Sequence, residues 1–497
     1  MQLALSGVSF TYPTAQEPIL NQVSVTFPTG WTGLLGDNGC GKTTLARLAC
    51  GLLTPTRGAI SGNLFAVYCA QETDAPPAAL SDFALDYGRD ARELRGLFHL
   101  EDDMAWRWDA LSFGERKKLQ IAVALWQRPD VLAVDEPTNH LDIDARRELT
   151  GALARFRGVG ILVSHDRELL DALARQCVSF EATGHGGSMR LMVRTGGYSV
   201  AHEQAERERK AAVSERAGAK RELSRLAAEA DARAHEAART DARLSKRHID
   251  PKDHDAKGKI DLARFTGQDG ARGKLAARMD RRVEGAHQRV SAAYVAKRYD
   301  GSLWLDVQPS PRKVLCRIEA AAIPCGPSEL SFPQLYIGNT DHIGIVGPNG
   351  AGKSTFLAHL RGLLASDLSV LDIPQEISAR EREAVFTRVR QLSSTERGRV
   401  LSTVAQLNSN PDRILEGGRT SPGELRKLML ALGLLDSPSL IIMDEPTNHL
   451  DMHSIEALEQ ALSAFAGALV LVSHDTAFMQ HCTSTTWEIR DGALSVR

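Results

Sequence analysis

No run in this sequence of 497 residues stays apolar for the ~18 residues that a membrane-spanning helix needs, so any membrane role would require a second chain. Met1-Gln2-Leu3-Ala4-Leu5-Ser6 reads directly as a strand, without the basic segment or cleavage site of an export signal. Cysteine is little used: the seven residues are odd in number, scattered from Cys40 to Cys482, and form no Cys-x-x-Cys pair. That pattern argues against a disulfide framework or a zinc site and predicts a reducing, cytoplasmic setting. Proline is missing from Gly196 to Asp250, which permits one very long helix there.

What is present is ordinary for a folded protein, 43% hydrophobic and 25% charged, and the length allows about two to four domains with ample cores. The net charge of -2 conceals an asymmetry. Residues 201–300 hold 24 Lys/Arg against 17 Asp/Glu, so the middle of the chain is basic and the rest is acidic.

One stretch occurs twice. Val134-Asp135-Glu136-Pro137-Thr138-Asn139-His140-Leu141-Asp142 returns as Met443-Asp444-Glu445-Pro446-Thr447-Asn448-His449-Leu450-Asp451. Each copy follows an apolar run, Val131-Leu132-Ala133 or Leu440-Ile441-Ile442, and predicts a buried parallel strand that delivers two carboxylates at its C-terminal end. The offset of 309 residues also separates Ser112 from Ser421 and His165 from His474, and Lys42 and Lys353 lie 311 apart. Four motifs in one order at nearly one offset are a duplication.

Gly36-Asp37-Asn38-Gly39-Cys40-Gly41-Lys42-Thr43-Thr44 fits G-x-x-x-x-G-K-[ST] between a predicted strand, Thr32–Leu35, and a predicted helix from Leu45. Gly347-Pro348-Asn349-Gly350-Ala351-Gly352-Lys353-Ser354-Thr355 repeats it after Ile343–Val346. Gly36, Gly39 and Gly41, with Gly347, Gly350 and Gly352, let backbone N–H groups wrap phosphates. Asn38 and Asn349, Lys42 and Lys353, Thr44 and Thr355 complete these nucleotide-binding loops, while Thr43 and Ser354 offer hydroxyls to Mg2+. Asp135 and Asp444 are placed to hold Mg2+ through water, and Glu136 and Glu445 to polarise an attacking water. Ser112-Phe113-Gly114-Glu115 and Ser421-Pro422-Gly423-Glu424 read as capping boxes that open helices toward an anion. Cys40, inside a phosphate loop, predicts thiol-reagent inhibition of the first site with protection by ATP.

Phosphate loop, LSGGQ-like signature, carboxylate strand and the Ser-His-Asp at 164–166 together resemble an ABC ATPase. The resemblance implies a signature helix that meets the γ-phosphate bound to the opposite cassette. It also implies a Q-loop role for Gln71 and Gln375 toward Mg2+, a switch role for His165 and His474, and adenine stacking by Tyr12. The signatures depart from LSGGQ at Phe113 and Glu115, and at Thr420, Pro422 and Glu424. Among Cys316 to Leu330 no clear counterpart of Tyr12 stands. About 40 residues between Gln71 and Ser112 predict a compact helical subdomain with no inserted arm, and no C-terminal arm is expected beyond Thr485–Ile489.

After Tyr198 an Ala/Glu/Arg/Lys run predicts a helix of about 50 residues, near 75 Å long, with few large apolar anchors in Leu223, Leu226 and Leu244. Leu275, Met279, Val283, Val290 and Tyr294 form a returning apolar stripe, so an antiparallel hairpin is expected. Its tip, Ile249 to Gly273, mixes five cations and Phe265 with five aspartates. It reads either as a solvated linker or as a probe of RNA.

The expected fold is therefore α/β: two tandem ABC-type P-loop ATPase domains, 1–196 and 312–497, joined by a long α-helical hairpin linker, 197–311. Over its full length the chain resembles the ABC-F family. That implies an ATP- and Mg2+-dependent cytoplasmic ATPase, a monomer with intramolecular cassette pairing, that binds the ribosome near the exit tRNA site. Residues 249–273 would then reach large-subunit RNA and tRNA, to modulate translation or to protect against antibiotics. The alternatives are the soluble ATPase subunit of a membrane transporter, or a DNA-repair ATPase. The latter usually splits its cassette with a coiled coil, for which the ~92 residues between Lys42 and Asp135, or Lys353 and Asp444, leave no room.

Overall fold

The computed structural model describes residues 1–182, 189–243, 268–293, 308–326, 328–409, 411 and 420–497. They form two compact units, one of Met1–Glu181, Met189–Ala201 and Arg298–Arg497, the other of Ala182–Ser188 and His202–Lys297. The first unit contains both cassettes.

In the first cassette six strands run in the order Ala66–Cys69, Val131–Asp135, Val159–Val163, Gly30–Leu35, Ala174–Ala182, Met189–Thr195, and the first five pair in parallel. Val131–Asp135 and Val159–Val163 are buried at every residue, because helices cover one face of the sheet and the antiparallel sheet with the helix Lys42–Ala49 covers the other; this is why they read as continuous apolar runs rather than alternating ones. A separate antiparallel sheet, Leu20–Pro28, Gln2–Phe10 and Arg57–Ser61, has one wet face, and Leu20, Val23, Val25 and Phe27 turn inward from it.

The second cassette merges these parts only partly, keeping Val314–Ile318 and Leu335–Gly338 as a separate antiparallel pair. Its eight-stranded sheet runs Ala321–Cys325, Ser328–Phe332, Ala493–Val496, Thr485–Arg490, His342–Val346, Ala468–Val472, Leu440–Asp444, Val370–Ile373. The antiparallel hairpin at one edge joins the parallel sheet through the Ser331–Ala493 pair. In both cassettes the carboxylate strand lies in register beside the strand that leads to His165 or His474, Asp135 against Val163 and Asp444 against Val472.

The expected helical subdomain is present between Gln71 and Ser112 as Leu80–Leu85, Arg89–Phe98 and two 3-10 turns. Buried Arg95 donates to the carbonyls of Phe83, Ala84 and Asp86, satisfying helix-end acceptors that would otherwise be buried bare. No helix among the described residues is long and apolar enough to cross a membrane.

The second unit holds most of the helix Tyr198–Arg243 and the helix Gln268–Ala292. Leu226, Met279 and Ala286 bury one another, with Leu223, Ala230 and Val283 alongside, and Arg289 pairs with Glu222 at 3.1 Å. These contacts pack the two helices side by side. Leu244, Tyr294 and residues 249–267 of the tip lie outside the described residues.

Candidate active site

Both phosphate loops end in a left-handed glycine that starts a helix. Gly41 (φ +107°) precedes Lys42–Ala49 and Gly352 (φ +101°) precedes Lys353–Leu363, and neither helix start has a side-chain cap. The first-turn N–H groups therefore remain available to an anion. A side chain at Gly36 would strike Phe180 and Cys40, each 2.9 Å from an added Cβ, so the loop needs glycine to lie this close to the sheet. Lys42 Nζ donates to the carbonyls of Gly36 (2.7 Å) and Asp37 (3.0 Å), and Lys353 Nζ to those of Gly347 (2.8 Å) and Pro348 (3.0 Å). Each ammonium is thereby held at the mouth of its own loop.

Thr43 Oγ1 donates to Asp135 Oδ2 at 2.7 Å, and Ser354 Oγ to Asp444 Oδ2 at 3.5 Å. Asp135 Oδ1 is buried and has no hydrogen-bond partner among the described residues. An orphaned carboxylate oxygen beside a loop hydroxyl fits a hydrated divalent cation.

The next residue of each strand is strained. Glu136 and Glu445 have φ of +44° and +49°, where bulky residues are rare, and each is pinned by its N–H donating to the neighbouring strand, at Val163 O and Val472 O (both 2.8 Å). Both carboxyl groups are buried. Burial lifts Glu136 to about 8 and Glu445 to about 7. His165 Nε2 lies 3.4 Å from Glu136, and His474 Nε2 lies 3.5 Å from Glu445 and 3.2 Å from Lys353 Nζ. Burial, helped by the adjacent lysine, holds both imidazoles down to about 3, so they are neutral at physiological pH. Each pair is a neutral imidazole facing a base candidate, not an ion pair.

Ser112 caps Phe113–Trp126 and Ser421 caps Pro422–Leu434, both in full capping boxes with Glu115 and Glu424. Ser112 Oγ also donates to Glu115 at 2.7 Å, so the carboxylate that replaces the usual glutamine is held in the cap. Gly114 and Gly423 are the second residues of these helices, and an added Cβ at Gly423 would lie 2.5 Å from His449 O.

The two cassettes meet head to tail. Asn38 Nδ2 donates to His449 O (3.0 Å), and Asn349 Nδ2 to His140 O (2.9 Å). His140 and His449 have φ of +61° and +64°, which turns these carbonyls toward the opposite phosphate loop. Asn349 N also donates to Asp142 Oδ2 (3.0 Å), and Asp37 bonds His453 at 2.8 Å.

The ABC transporter family model matches residues 20–139 and 331–448, the segments that carry these loops and strands. The tylosin resistance ATP-binding protein TlrC of Streptomyces fradiae is 30% identical, over 99% of this chain and 98% of its own. The chain belongs to the ABC-F family of ATPases. The ribosome protection protein VmlR of Bacillus subtilis is 27% identical over 99% of this chain and 87% of its own. An archaeal ribosome recycling factor, aABCE1, solved in complex with the ribosomal stalk protein aP1, superposes with a TM-score of 0.62 at 17% identity. That match covers 97% of this chain and 87% of the other, and it supports the tandem fold. As an ABC-F member the protein binds and hydrolyses ATP.

Within this ABC-F chain the two sites differ, as the missing counterpart of Tyr12 foretold, and in further ways that the sequence did not announce. Tyr12 Oη lies 3.0 Å from Thr44 Oγ1, beside the first phosphate loop, where adenine stacking was expected. At the equivalent place in the second site Cys325 Sγ lies 3.8 Å from Thr355 Oγ1, so a cysteine stands where the first site has its aromatic ring. Tyr68 Oη donates to Asp135 Oδ2 at 2.9 Å, and Arg47 stacks on its ring, whereas the corresponding position of the second sheet is Asp372, paired with Arg361. Sequence reasoning missed Tyr68, although its place three residues before Gln71 was a usable signal. Gln71 and Gln375 are half-buried and are fixed through their backbone carbonyls, by Lys117 and Arg426.

Proposed function

We propose that the two ATP sites are composite and that their closure drives an action on the ribosome. Lys42, Thr43, Gln71, Asp135, Glu136 and His165 work with Ser421 and Gly423 in site I. Lys353, Ser354, Gln375, Asp444, Glu445 and His474 work with Ser112 and Gly114 in site II. The observation that carries this reading is the reciprocal pair of bonds, Asn38 to His449 O and Asn349 to His140 O, which sets each phosphate loop against the other cassette.

Thr43 with Asp135, and Ser354 with Asp444, would hold Mg2+, which when bound neutralises charge between the outer phosphates. Lys42 and Lys353 leave their carbonyl contacts for phosphate oxygens. Glu136 and Glu445 accept a proton from the attacking water, and the neutral His165 and His474 orient it beside them. Hydrolysis removes the anion that joins the halves, and they separate.

The relatives include a resistance protein and a ribosome protection protein, and EttA of Mycobacterium tuberculosis, 27% identical over 95% of this chain, is an energy-dependent translational throttle protein. These names support a role on the ribosome; in this reading the protein is cytoplasmic and monomeric, and its domains, 1–196 and 312–497, carry the linker 197–311 to the exit tRNA site. Residues 249–273 would contact large-subunit RNA and tRNA there, in translation control or antibiotic protection. The E136Q/E445Q double variant should abolish turnover and sediment with ribosomes in ATP but not in ADP. Sedimentation indifferent to nucleotide, or persistent turnover, rejects the proposal.

A further inference from the structure

We propose that Lys117 and Arg426 are positioning residues that couple the two ATP sites inside each cassette: each buried cation ties the Q-loop backbone of one site to the signature helix that serves the other. The inference rests on the composite-site reading above.

Both residues stand five positions after the capping serine of a signature helix, Ser112 or Ser421. Lys117 is fully buried, and all three of its ammonium donors are matched, by Ala70 O (2.6 Å), Gln71 O (3.0 Å) and Gln120 Oε1 (3.2 Å). Arg426, also buried, sends Nη1 to Glu445 O (3.1 Å) and Asn448 O (2.9 Å), and Nη2 to Gln375 O. None of these acceptors is a carboxylate. Asp135 and Glu136 attract Lys117, and Glu445 and Asp444 attract Arg426, yet every one of these hydrogen bonds goes to a neutral acceptor; a buried cation is costly compared with an apolar side chain of the same shape, so packing alone does not call for one at either place. What both cations share is their target, the carbonyl of the Q-loop glutamine.

That target lies in a different ATP site from the helix that carries the cation. Lys117 rides on the helix of Ser112, which serves site II, and grips Gln71 of site I. Arg426 rides on the helix of Ser421, which serves site I, and grips Gln375 of site II. Any shift of a signature helix as it meets nucleotide in one site is therefore passed to the Mg2+-sensing loop of the other. The two couplers are unequal. Arg426 also holds the backbone of Glu445 and of Asn448, next to His449, so it reaches the base and the loop that touches Asn38. Lys117 makes no such bond.

Lys117→Met keeps the stem and leaves the carbonyls of Ala70 and Gln71 buried without their donor. In a Glu445→Gln background, where site I alone turns over, it should raise the Mg2+ concentration for half-maximal rate on the order of tenfold. In a Glu136→Gln background, where site II alone turns over, it should lower kcat by about the same factor. Lys117→Arg, the residue the second cassette uses, should recover most of both. Arg426→Lys, which keeps the charge and drops the fork, carries the test if Lys117→Met does not accumulate as folded protein. It should lower site II turnover while the melting temperature stays near that of the parent. If either variant shifts the melting temperature but leaves the Mg2+ requirement and the other site's kcat within twofold, the coupling role is wrong. If instead the Glu136→Gln and Glu445→Gln parents retain wild-type turnover, the composite-site reading fails, and the coupling inference with it.

Discussion

The two base candidates are faced by different charges. Burial raises both, but Arg146 of the first cassette pulls Glu445 down, and the second cassette offers Glu136 only Ile455 at the matching step. The Arg146 charge favours the ionised form of Glu445, so at neutral pH the base of the second site is the more ionised of the two. E136Q should therefore retain several-fold more ATPase activity at pH 7 than E445Q, and the rate of E445Q should climb from pH 7 to 8 as Glu136 ionises. Equal residual rates in steady-state assays would show that Arg146 does not act across the interface. Stability carries the opposite sign. A folded pKa raised above the unfolded value makes Glu136 stabilising below ~4.5, a contribution lost as pH rises toward 8, while His165 stabilises above ~6.5 and loses that as pH falls toward 3. E136Q removes only the carboxylate effect, so its melting temperature should exceed that of the wild type at pH 8.5, with the gap narrowing below pH 8 and closing only near ~4.5. Cys40 bears on an expectation at this same scale. It is buried, and burial pushes its thiol up to about 11, so thiol reagents should act slowly at neutral pH, whatever ATP does.

Among the elements, the signature helices show how one missing methyl group supports an interface. Gly423 packs directly under the His449 carbonyl that accepts from Asn38, whereas the matching Gly114 faces only the flexible end of Leu141 at 3.2 Å. Gly423→Ala should lower site I turnover by tenfold or more with the cassette still folded, since a misplacement of about 1 Å near a site costs on the order of 100-fold. Gly114→Ala should cost site II only a few-fold. Comparable losses measured in the single-site backgrounds would place the difference elsewhere. This contrast also marks how far sequence reading goes. The buried strands Val131–Asp135 and Leu440–Asp444, both capping boxes and the long helix from Tyr198 were legible because each depends on neighbours within a few residues. Tyr68 on Asp135, Arg426 on Glu445 and Asn38 on His449 were not. Their partners lie 67, 19 and 411 positions away, and only the folded sheet and the paired cassettes bring them together.

For the paired cassettes as a whole, nucleotide is not the only adhesive. Arg167 of the first cassette makes a bidentate pair with Glu459 of the second, at 2.9 and 3.1 Å, and places its Nε 3.3 Å from Met452 Sδ. Beside it Tyr198, the first residue of the long helix, donates to Glu456 at 2.7 Å, with the Arg167 guanidinium over its ring. Neither member of the Arg167–Glu459 pair is much exposed, at 16% and 11%, so removing one partner leaves a charge poorly hydrated unless the cassettes part and let water in. Such a loss typically costs about 3–5 kcal/mol at full burial and less here, where water reaches the rim. Opening then becomes the relief, and the closed state is what the mutation should destabilise. Arg167→Met should therefore raise the ATP concentration needed for half-maximal closure by tenfold or more, read as energy transfer between dyes on the two cassettes. Glu459→Gln added to it should recover part of the loss, because the stranded charge is gone. If the double variant closes no better than Arg167→Met alone, the pair is a bystander. In that case the reciprocal asparagine contacts hold the halves without it, and Tyr198 would pass no signal of closure into the helix that it begins.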